Sequence, residues 1–102
     1  MPFRADRSTS FISQDYIVAP GVQALSTAPL AAFGCRSVFV YSRPANTLPI
    51  WVGGPLLGVA GSNGIRIMPD GGISIDIDNI AKVFVVEPTN SGTQVITVFV
   101  NG

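Results

Sequence analysis

The stretch WVGGPLLGVAGSNG, residues 51–64, has the glycine content of a phosphate-binding loop. A dinucleotide site needs the spacing G-x-G-x-x-G between a strand and a helix, and a triphosphate loop needs Lys followed by Ser or Thr after its last glycine. The glycines at positions 53, 54, 58, 61 and 64 match neither pattern, and the chain continues as Ile-Arg-Ile. We therefore expect them to serve the backbone. They would end one strand at a sharp bend and, at Asn63 and Gly64, supply positive φ angles before the next.

Asp76 and Asp78 stand two residues apart, a spacing that places both carboxylates on one face of a strand. Such a pair could act as general acid and base, or bind calcium. The alternative is the solvated face of an amphipathic strand, which we favour because Ser74 continues the same polar stripe. DIDN (76–79) resembles the start of a calcium loop, but the required glycine and distal glutamate are missing. The sequence predicts neither a metal ion nor a cofactor.

The chain has no histidine, the residue that most often supplies a general base or a metal ligand. Its single cysteine, Cys35, is expected to be a small buried apolar residue rather than an activated thiol. Trp51, the single tryptophan, is either a stacking platform for a sugar or base, or a packing residue in the core or an interface; packing is the commoner role. We therefore expect no catalytic residues and no enzymatic activity.

Charged residues make up only 12% of the chain, against about 25% in ordinary globular proteins. A small domain exposes most of its residues, so this deficit predicts that other subunits or a partner cover part of the surface. Six basic and six acidic residues give zero net charge and no basic stripe for nucleic acid. Residues 44–65 lack charge, but their three prolines and five glycines exclude a spanning helix. We expect a soluble, unprocessed homo-oligomer that binds neither nucleic acid nor membrane.

Residues 1–14, MPFRADRSTSFISQ, show no sustained period and predict an extended arm before a single domain over residues 15–102. The arm contains the apolar anchors Phe3, Phe11 and Ile12, spaced by polar residues, together with Arg4 and Arg7. A solvated tail needs no apolar anchors, so we expect these five residues to bind a partner. The alternative for the two arginines is that they are plain solubilising charges.

The remaining chain alternates apolar and polar residues with the period of β-strands. Strands are predicted within 15–26, 35–42, 48–54, 65–78, 81–87 and 93–100. Within 65–78 the pattern turns like a hairpin at PDGG; Pro49 favours an edge or a strand start, and DNIAK (78–82) is the one candidate helical turn. These features predict an all-β fold, a small antiparallel β-sandwich or barrel of jelly-roll-like character, with an extended N-terminal arm.

Six short pieces follow one another from residue 50 onward: IWVGG (50–54), SNGI (62–65), MPDGG (68–72), ISID (73–76), VFVV (83–86) and SGTQVITV (91–98). Their order resembles a small β module of the virion proteins of tailed bacteriophages. The resemblance covers roughly the C-terminal two thirds of the chain and contains no catalytic motif.

The resemblance implies a structural virion protein, foremost a capsid decoration (cement) protein that bridges subunits of the major capsid protein and stabilises the head. It also implies a homotrimer on the capsid surface, made in the host cytoplasm. The alternative is a carbohydrate- or receptor-binding β module of a phage fibre or tail, with Trp51 as stacking residue and Asp76 and Asp78 as polar partners. A third reading, an enzyme subdomain, is disfavoured because the chain has no histidine.

Overall fold

The computed structural model describes residues 11–25 and 36–101, which form two four-stranded antiparallel sheets. The strands are β1 (Phe11–Ile17), β2 (Gln23–Ala24), β3 (Ser37–Ser42), β4 (Ile50–Gly53), β5 (Gly64–Ile67), β6 (Gly72–Asp76), β7 (Phe84–Val86) and β8 (Val95–Asn101). A single 3-10 turn, η1 (Ile80–Lys82), joins β6 to β7. The first sheet has the order β1-β8-β3-β6 and the second the order β2-β7-β4-β5. The predicted all-β sandwich is confirmed.

Most successive strands lie in opposite sheets; the exception is β4 and β5, which pair with each other. This order is that of a jelly roll, in which two Greek keys wrap around one core. The hairpin expected over 65–78 is therefore wrong, because β5 lies in the second sheet and β6 pairs with β3 in the first. Alternation in the sequence reports which face of a strand is apolar, but not which strand is its neighbour.

The core lies between the sheets and is built by alternate residues of the central strands, as the period of two requires. Val38 and Val40 of β3 and Val98 of β8 are fully buried on the inner face of the first sheet. Ile50 of β4 and Val85 of β7 face them from the second sheet and are also fully buried. Each such side chain stabilises the fold by about 1.5–3 kcal/mol relative to leaving it in water.

The sequence predicts local structure at three short segments of the chain: Pro49, DNIAK (78–82) and Asn63 with Gly64. Pro49 immediately precedes β4, but β4 lies between β7 and β5, so only the strand-start alternative is correct. The helical turn expected in DNIAK is confirmed as η1, whose first turn is capped by Asn79 accepting a hydrogen bond from the Ala81 N–H (2.9 Å). Asn63 has the expected positive φ of 63°, whereas Gly64 is part of β5.

β1 begins at Phe11, inside the stretch that the sequence assigned to the arm. Residues 11–14 pair with β8, from Phe11 opposite Asn101 to Gln14 opposite Val98. The boundary at residue 14 is therefore wrong for these four residues. Backbone hydrogen bonds hold a strand at the edge of a sheet. They do not require apolar and polar side chains to alternate along that strand, so its sequence carries no pattern that would reveal it. Residues 1–10 lie outside the described part of the chain.

The strand directions define two ends of the sandwich. The lower end comprises loop 54–63, η1 and the terminal residues of each strand there: Phe11, Asn101, Ser37 and Asp76 in one row, and Ala24, Phe84, Gly53 and Gly64 in the other. The upper end carries the connections 18–22, 43–49, 68–71 and 87–94. No helix within the described residues is long and apolar enough to cross a membrane.

Candidate interaction surface

Loop 54–63 connects β4 to β5 at the lower end and is held by its own hydrogen bonds. The Leu57 N–H donates to the Gly54 carbonyl (3.0 Å), and Leu57 itself is buried beneath the loop. The Asn63 side-chain amide donates to the Leu56 carbonyl (3.1 Å), which ties the end of the loop to its beginning. These bonds fix the loop before any partner is present, which lowers the entropy cost of binding.

Glycine is required in this loop for packing and not for binding phosphate. Gly61 has a φ of +90°, and a Cβ there would lie 2.7 Å from the indole ring of Trp51. Gly64 has no room for a side chain either, because a Cβ would lie 2.5 Å from Cδ1 of Leu57. The expectation that the glycines of 51–64 serve the backbone is confirmed at Gly61, whose φ is positive, whereas the positive φ expected at Gly64 is not observed and that residue is required by close packing.

The loop presents two large apolar side chains to solvent. Leu56 is 80% exposed and Val59 is 72% exposed, more than any other large apolar residue of the described chain. Single exposed apolar residues are ordinary on protein surfaces, but two on one pre-formed loop beside further apolar surface are typical of an interaction site. We name Leu56, Val59 and their loop the apolar loop.

An apolar groove of about 240 Å³ adjoins this loop, between the edge strands β5 and β6. Its side chains come from the inward faces of both sheets: Ile65 is opposite buried Val52 in the ladder, and Ile75 is opposite buried Val38. Ile65 is nevertheless 58% exposed, since the two sheets do not close over each other at this edge. The groove is therefore an uncovered part of the core, continuous with the apolar loop through Gly54.

Among the described residues that line the groove, Lys82 is the one with a charged side chain, and Asp78 is its partner. The Lys82 ammonium lies 3.0 Å from the Asp78 carboxylate, and its hydrogen bond and charge hold the pKa of Asp78 below its usual value. Both side chains are largely exposed, so the ion pair contributes little to stability. Asp76 does not face the groove: it lies opposite Ser37 in the ladder, on the outer face of the first sheet, whereas Val38 and Ile75 face inward.

The sequence-derived candidates for chemistry do not form a reactive site within the described residues. Asp76 and Asp78 lie on the exposed face that Ser74 begins, as the solvated-strand interpretation expects. No group of three or more His, Cys, Asp or Glu side chains in 11–25 and 36–101 is arranged to hold a metal ion. Trp51 is half-buried, with its ring against Gly61. Packing is therefore the observed role of its indole.

Of the five residues expected to bind a partner, two lie in the described part of the chain and three lie outside it. Phe11 and Ile12 lie in β1, where their backbones pair with Asn101 and Val100 of β8. Phe3, Arg4 and Arg7 lie outside the described residues, as does Cys35. The partner role of all five stays a prediction.

Side-chain hydrogen bonds join the loops of the upper end. Asn46, which is buried, accepts from the Val95 N–H (2.8 Å) and donates to the Val95 carbonyl (2.7 Å), so it pairs with β8 as a neighbouring strand would. Gln94 accepts from the backbone N–H groups of Thr47 and Leu48 (2.9 and 3.0 Å). These bonds connect the β3–β4 loop to the start of β8.

Glu87 is the one acidic residue buried in the described chain, with 2% of its surface exposed. Burial by itself would raise the pKa of this carboxyl group. The Thr89 hydroxyl and N–H (2.6 and 2.7 Å) and the Ser91 N–H (2.8 Å) donate to it, and together they lower its pKa from 4.5 to about 2. The carboxylate thus organises the β7–β8 turn and has no access to a substrate.

No protein-family model matches the sequence, and no curated protein matches it either. Among solved structures, the fold is similar to part of the stem and receptor binding domain of the spike protein P1 from bacteriophage PM2, with 16% identity and a TM-score of 0.58. That match covers 78% of this chain and 29% of the spike chain. A match to the IMPa metallopeptidase from Pseudomonas aeruginosa has 16% identity and a TM-score of 0.52, and covers 93% of this chain and 12% of the other.

Bacillus endospore appendages, described as disulfide-linked pili, match with 11% identity and a TM-score of 0.49, over 90% of this chain and 85% of theirs. The chain spans less than a third of the length of the spike and metallopeptidase chains. The likeness to the spike and metallopeptidase structures, at 16% identity, shows a similar fold alone.

Sequence reasoning missed the groove and the buried carboxylate. The alternating isoleucines of β6 predicted an apolar face, but only the pairing of strands reveals that this face stays partly uncovered. Glu87 is followed by Thr89 and Ser91, which is a sequence pattern typical of a side chain that accepts hydrogen bonds from a turn.

Proposed function

We propose that the chain is a structural protein of a bacteriophage particle, which attaches to its partner through the apolar loop at the lower end. The observation that carries this proposal is the pre-formed loop with Leu56 and Val59 exposed to solvent. A scarcity of charge and the fold shared with part of a phage spike protein support the same class. A protein of this kind acts by burying surface and catalyses no reaction.

Within this class we propose a capsid decoration protein, a homo-oligomer with three copies as the favoured number, on the outer surface of the head. Its partner would be the major capsid protein, with one copy contacting more than one capsid subunit. Each added contact across a subunit boundary stabilises the shell against internal pressure. The resemblance of residues 50–98 to tailed-phage virion modules supports this more specific role.

The exposed surface of Leu56 and Val59 determines how much binding free energy these two side chains can contribute. Complete burial of a leucine or valine is worth about 1.5–3 kcal/mol, and Leu56 and Val59 expose most of their surface. Removing both should therefore cost roughly 3 kcal/mol of binding free energy per copy, or about a hundredfold in affinity.

The test is a pelleting assay with purified shells from the phage that encodes the chain. The double variant Leu56→Ser/Val59→Ser is compared with the control Ile17→Ser/Met68→Ser, which removes two exposed apolar side chains from the upper end. We expect the first variant to bind at least tenfold more weakly and the control to bind like the unmodified protein. Equal binding by both variants would contradict attachment through the lower end.

A receptor- or carbohydrate-binding module of a fibre or spike is the second candidate, favoured by the fold shared with the stem and receptor binding domain of the PM2 spike. Here the Trp51 ring would stack on a sugar, although the side toward Gly61 is already occupied. A glycan screen with a Trp51→Ala control tests this candidate. Specific binding lost in the variant would favour it over decoration.

A further inference from the structure

The groove between β5 and β6 is a second binding feature, separate from the apolar loop. A closed apolar cavity of about 150 Å³ is enough to bind benzene, so a groove of about 240 Å³ has room for one aromatic side chain. Its walls, Ile65 on one side and Ile73 and Ile75 on the other, carry no polar atom in their side chains. The occupant that fits is an aromatic or large aliphatic group.

The edges of the groove are also suited to an extended chain segment. Within the described residues β5 pairs only with β4, and β6 pairs only with β3. As far as residues 11–25 and 36–101 are concerned, one edge of each strand therefore has no neighbouring strand beside the groove. Such edges bind an added strand through main-chain hydrogen bonds, while the groove receives alternate side chains.

The stretch of this chain that precedes β1 contains a side chain of the required kind. Residues 1–10, MPFRADRSTS, lie outside the described residues and come directly before Phe11, which is at the lower end. They contain one aromatic residue, Phe3. Lys82, the charged residue among the groove's described lining, is already paired with Asp78, so the match rests on the apolar walls and not on charge.

The position of β1 determines whose groove the segment can reach most directly. Phe11 is at the lower end, three strands away from Asp76 in the same row, or about 14 Å. β1 runs upward from Phe11, so a segment that continued the line of β1 would leave the lower end of its own sandwich. Ten extended residues span up to about 33 Å, which is enough to reach an adjacent copy without reversing direction.

We propose that the groove binds residues 1–10 of a second copy of this chain, with Phe3 between Ile65 and Ile75. The arrangement rests on the self-association proposed above and supplies its mechanism. Each copy donates its N-terminal segment to one neighbour and receives the segment of another. Such a head-to-tail contact closes into a ring when the rotation between copies permits it.

The first experiment is disulfide cross-linking in full-length protein in which Cys35 is replaced by Ser. Phe3→Cys protein is mixed with Ile75→Cys protein under mild oxidation, and linked peptides are identified by mass spectrometry. The control replaces Ile75→Cys by Phe39→Cys, at a position 39% exposed on the outer face of the first sheet. We expect a Phe3-to-Ile75 link between two chains at a yield at least tenfold above the control.

Two results would overturn the proposal. One is a yield equal to the control. The other is a link that forms within one chain as the main product of the Phe3→Cys/Ile75→Cys double variant, because the segment would then occupy its own groove.

The second experiment measures self-association by sedimentation velocity and shell binding by pelleting on the same samples. Phe3→Ala should weaken self-association at least tenfold, while Phe3→Leu should retain most of it because leucine also fills an apolar groove. Unchanged self-association of Phe3→Ala would refute the proposed occupant. Loss of shell binding in Leu56→Ser/Val59→Ser, with self-association intact, would show that the two surfaces act separately.

Discussion

Replacing Glu87 by glutamine should change both the stability of the protein and the dependence of that stability on pH. The carboxylate accepts hydrogen bonds from Thr89 and Ser91, and these hold its pKa at about 2 rather than 4.5. A glutamine of the same shape has no charge, and its NH2 group faces donors instead of acceptors. The β7–β8 turn should therefore lose the carboxylate that accepts its hydrogen bonds.

The size of the effect follows from the shift in pKa. A difference of about 2.5 units corresponds to about 3 kcal/mol of stability at neutral pH. Because the pKa is lower in the folded state, this stability is fully present above pH 4.5 and is lost as the pH falls toward 2. The Asp78 pKa is also lowered, but that side chain is exposed and solvent screening keeps its contribution small.

The assay is urea unfolding followed by tryptophan fluorescence at several pH values between 7 and 2. At pH 7 we expect Glu87→Gln to unfold with a free energy roughly 2–3 kcal/mol below that of the unmodified protein. Between pH 4.5 and 2 the unmodified protein should lose most of this difference, and the variant should show a flatter curve. Thr89→Val, which removes one donor, should lose about 1 kcal/mol. A Glu87→Gln loss below about 1 kcal/mol at pH 7, or an unchanged pH dependence, would refute the reasoning.

Three other substitutions have defined outcomes. Gly61→Ala forces a Cβ against the Trp51 ring at a φ of +90°. Thermal unfolding should therefore show a loss of about 2–3 kcal/mol in the free energy of unfolding, and the tryptophan emission should change. An unchanged melting temperature would contradict this packing. Asn46→Ala removes the partner of the Val95 N–H and one of the two donors to the Val95 carbonyl, which also accepts from the Arg43 N–H, and should cost about 1–3 kcal/mol in urea unfolding, more than an exposed Asn→Ala change. Asp76→Asn/Asp78→Asn should leave the melting temperature within about 2 °C, with no response to calcium in either protein; stabilisation by calcium in the unmodified protein would indicate a metal site.

The fold class was predictable because side-chain alternation marks strands that have one buried face. The isoleucines at positions 73, 75 and 77 and the valines at positions 38 and 40 identified the inward faces of β6 and β3 correctly. Pairing was not predictable from the same pattern, since PDGG can close a hairpin or turn a corner between sheets. The Asp70 N–H donates to the Ser42 carbonyl, and the Ser42 N–H donates to the Gly71 carbonyl. These two bonds select the corner, and the sequence pattern does not indicate them.

The candidate surface was only partly predictable. Scarcity of charge indicated a covered surface, but it could not locate that surface on the molecule. Leu56 and Leu57 are adjacent and identical in type, yet one is exposed and the other buried, because hydrogen bonds within the loop determine which side chain faces inward. The groove lies between β5 and β6, which are edge strands of two different sheets. Its width depends on how the two sheets pack, and the sequence pattern does not indicate that packing.

The most direct measurement of the central claim is hydroxyl-radical footprinting of the full chain, free and bound to phage shells. Leu56 at the lower end and Met68 at the upper end are both exposed in the isolated molecule, and both side chains react with radicals. Attachment through the apolar loop predicts that oxidation of Leu56 falls at least fivefold on binding, while oxidation of Met68 stays the same. Protection of Met68 with Leu56 still fully reactive would place the attachment surface at the opposite end and contradict the account.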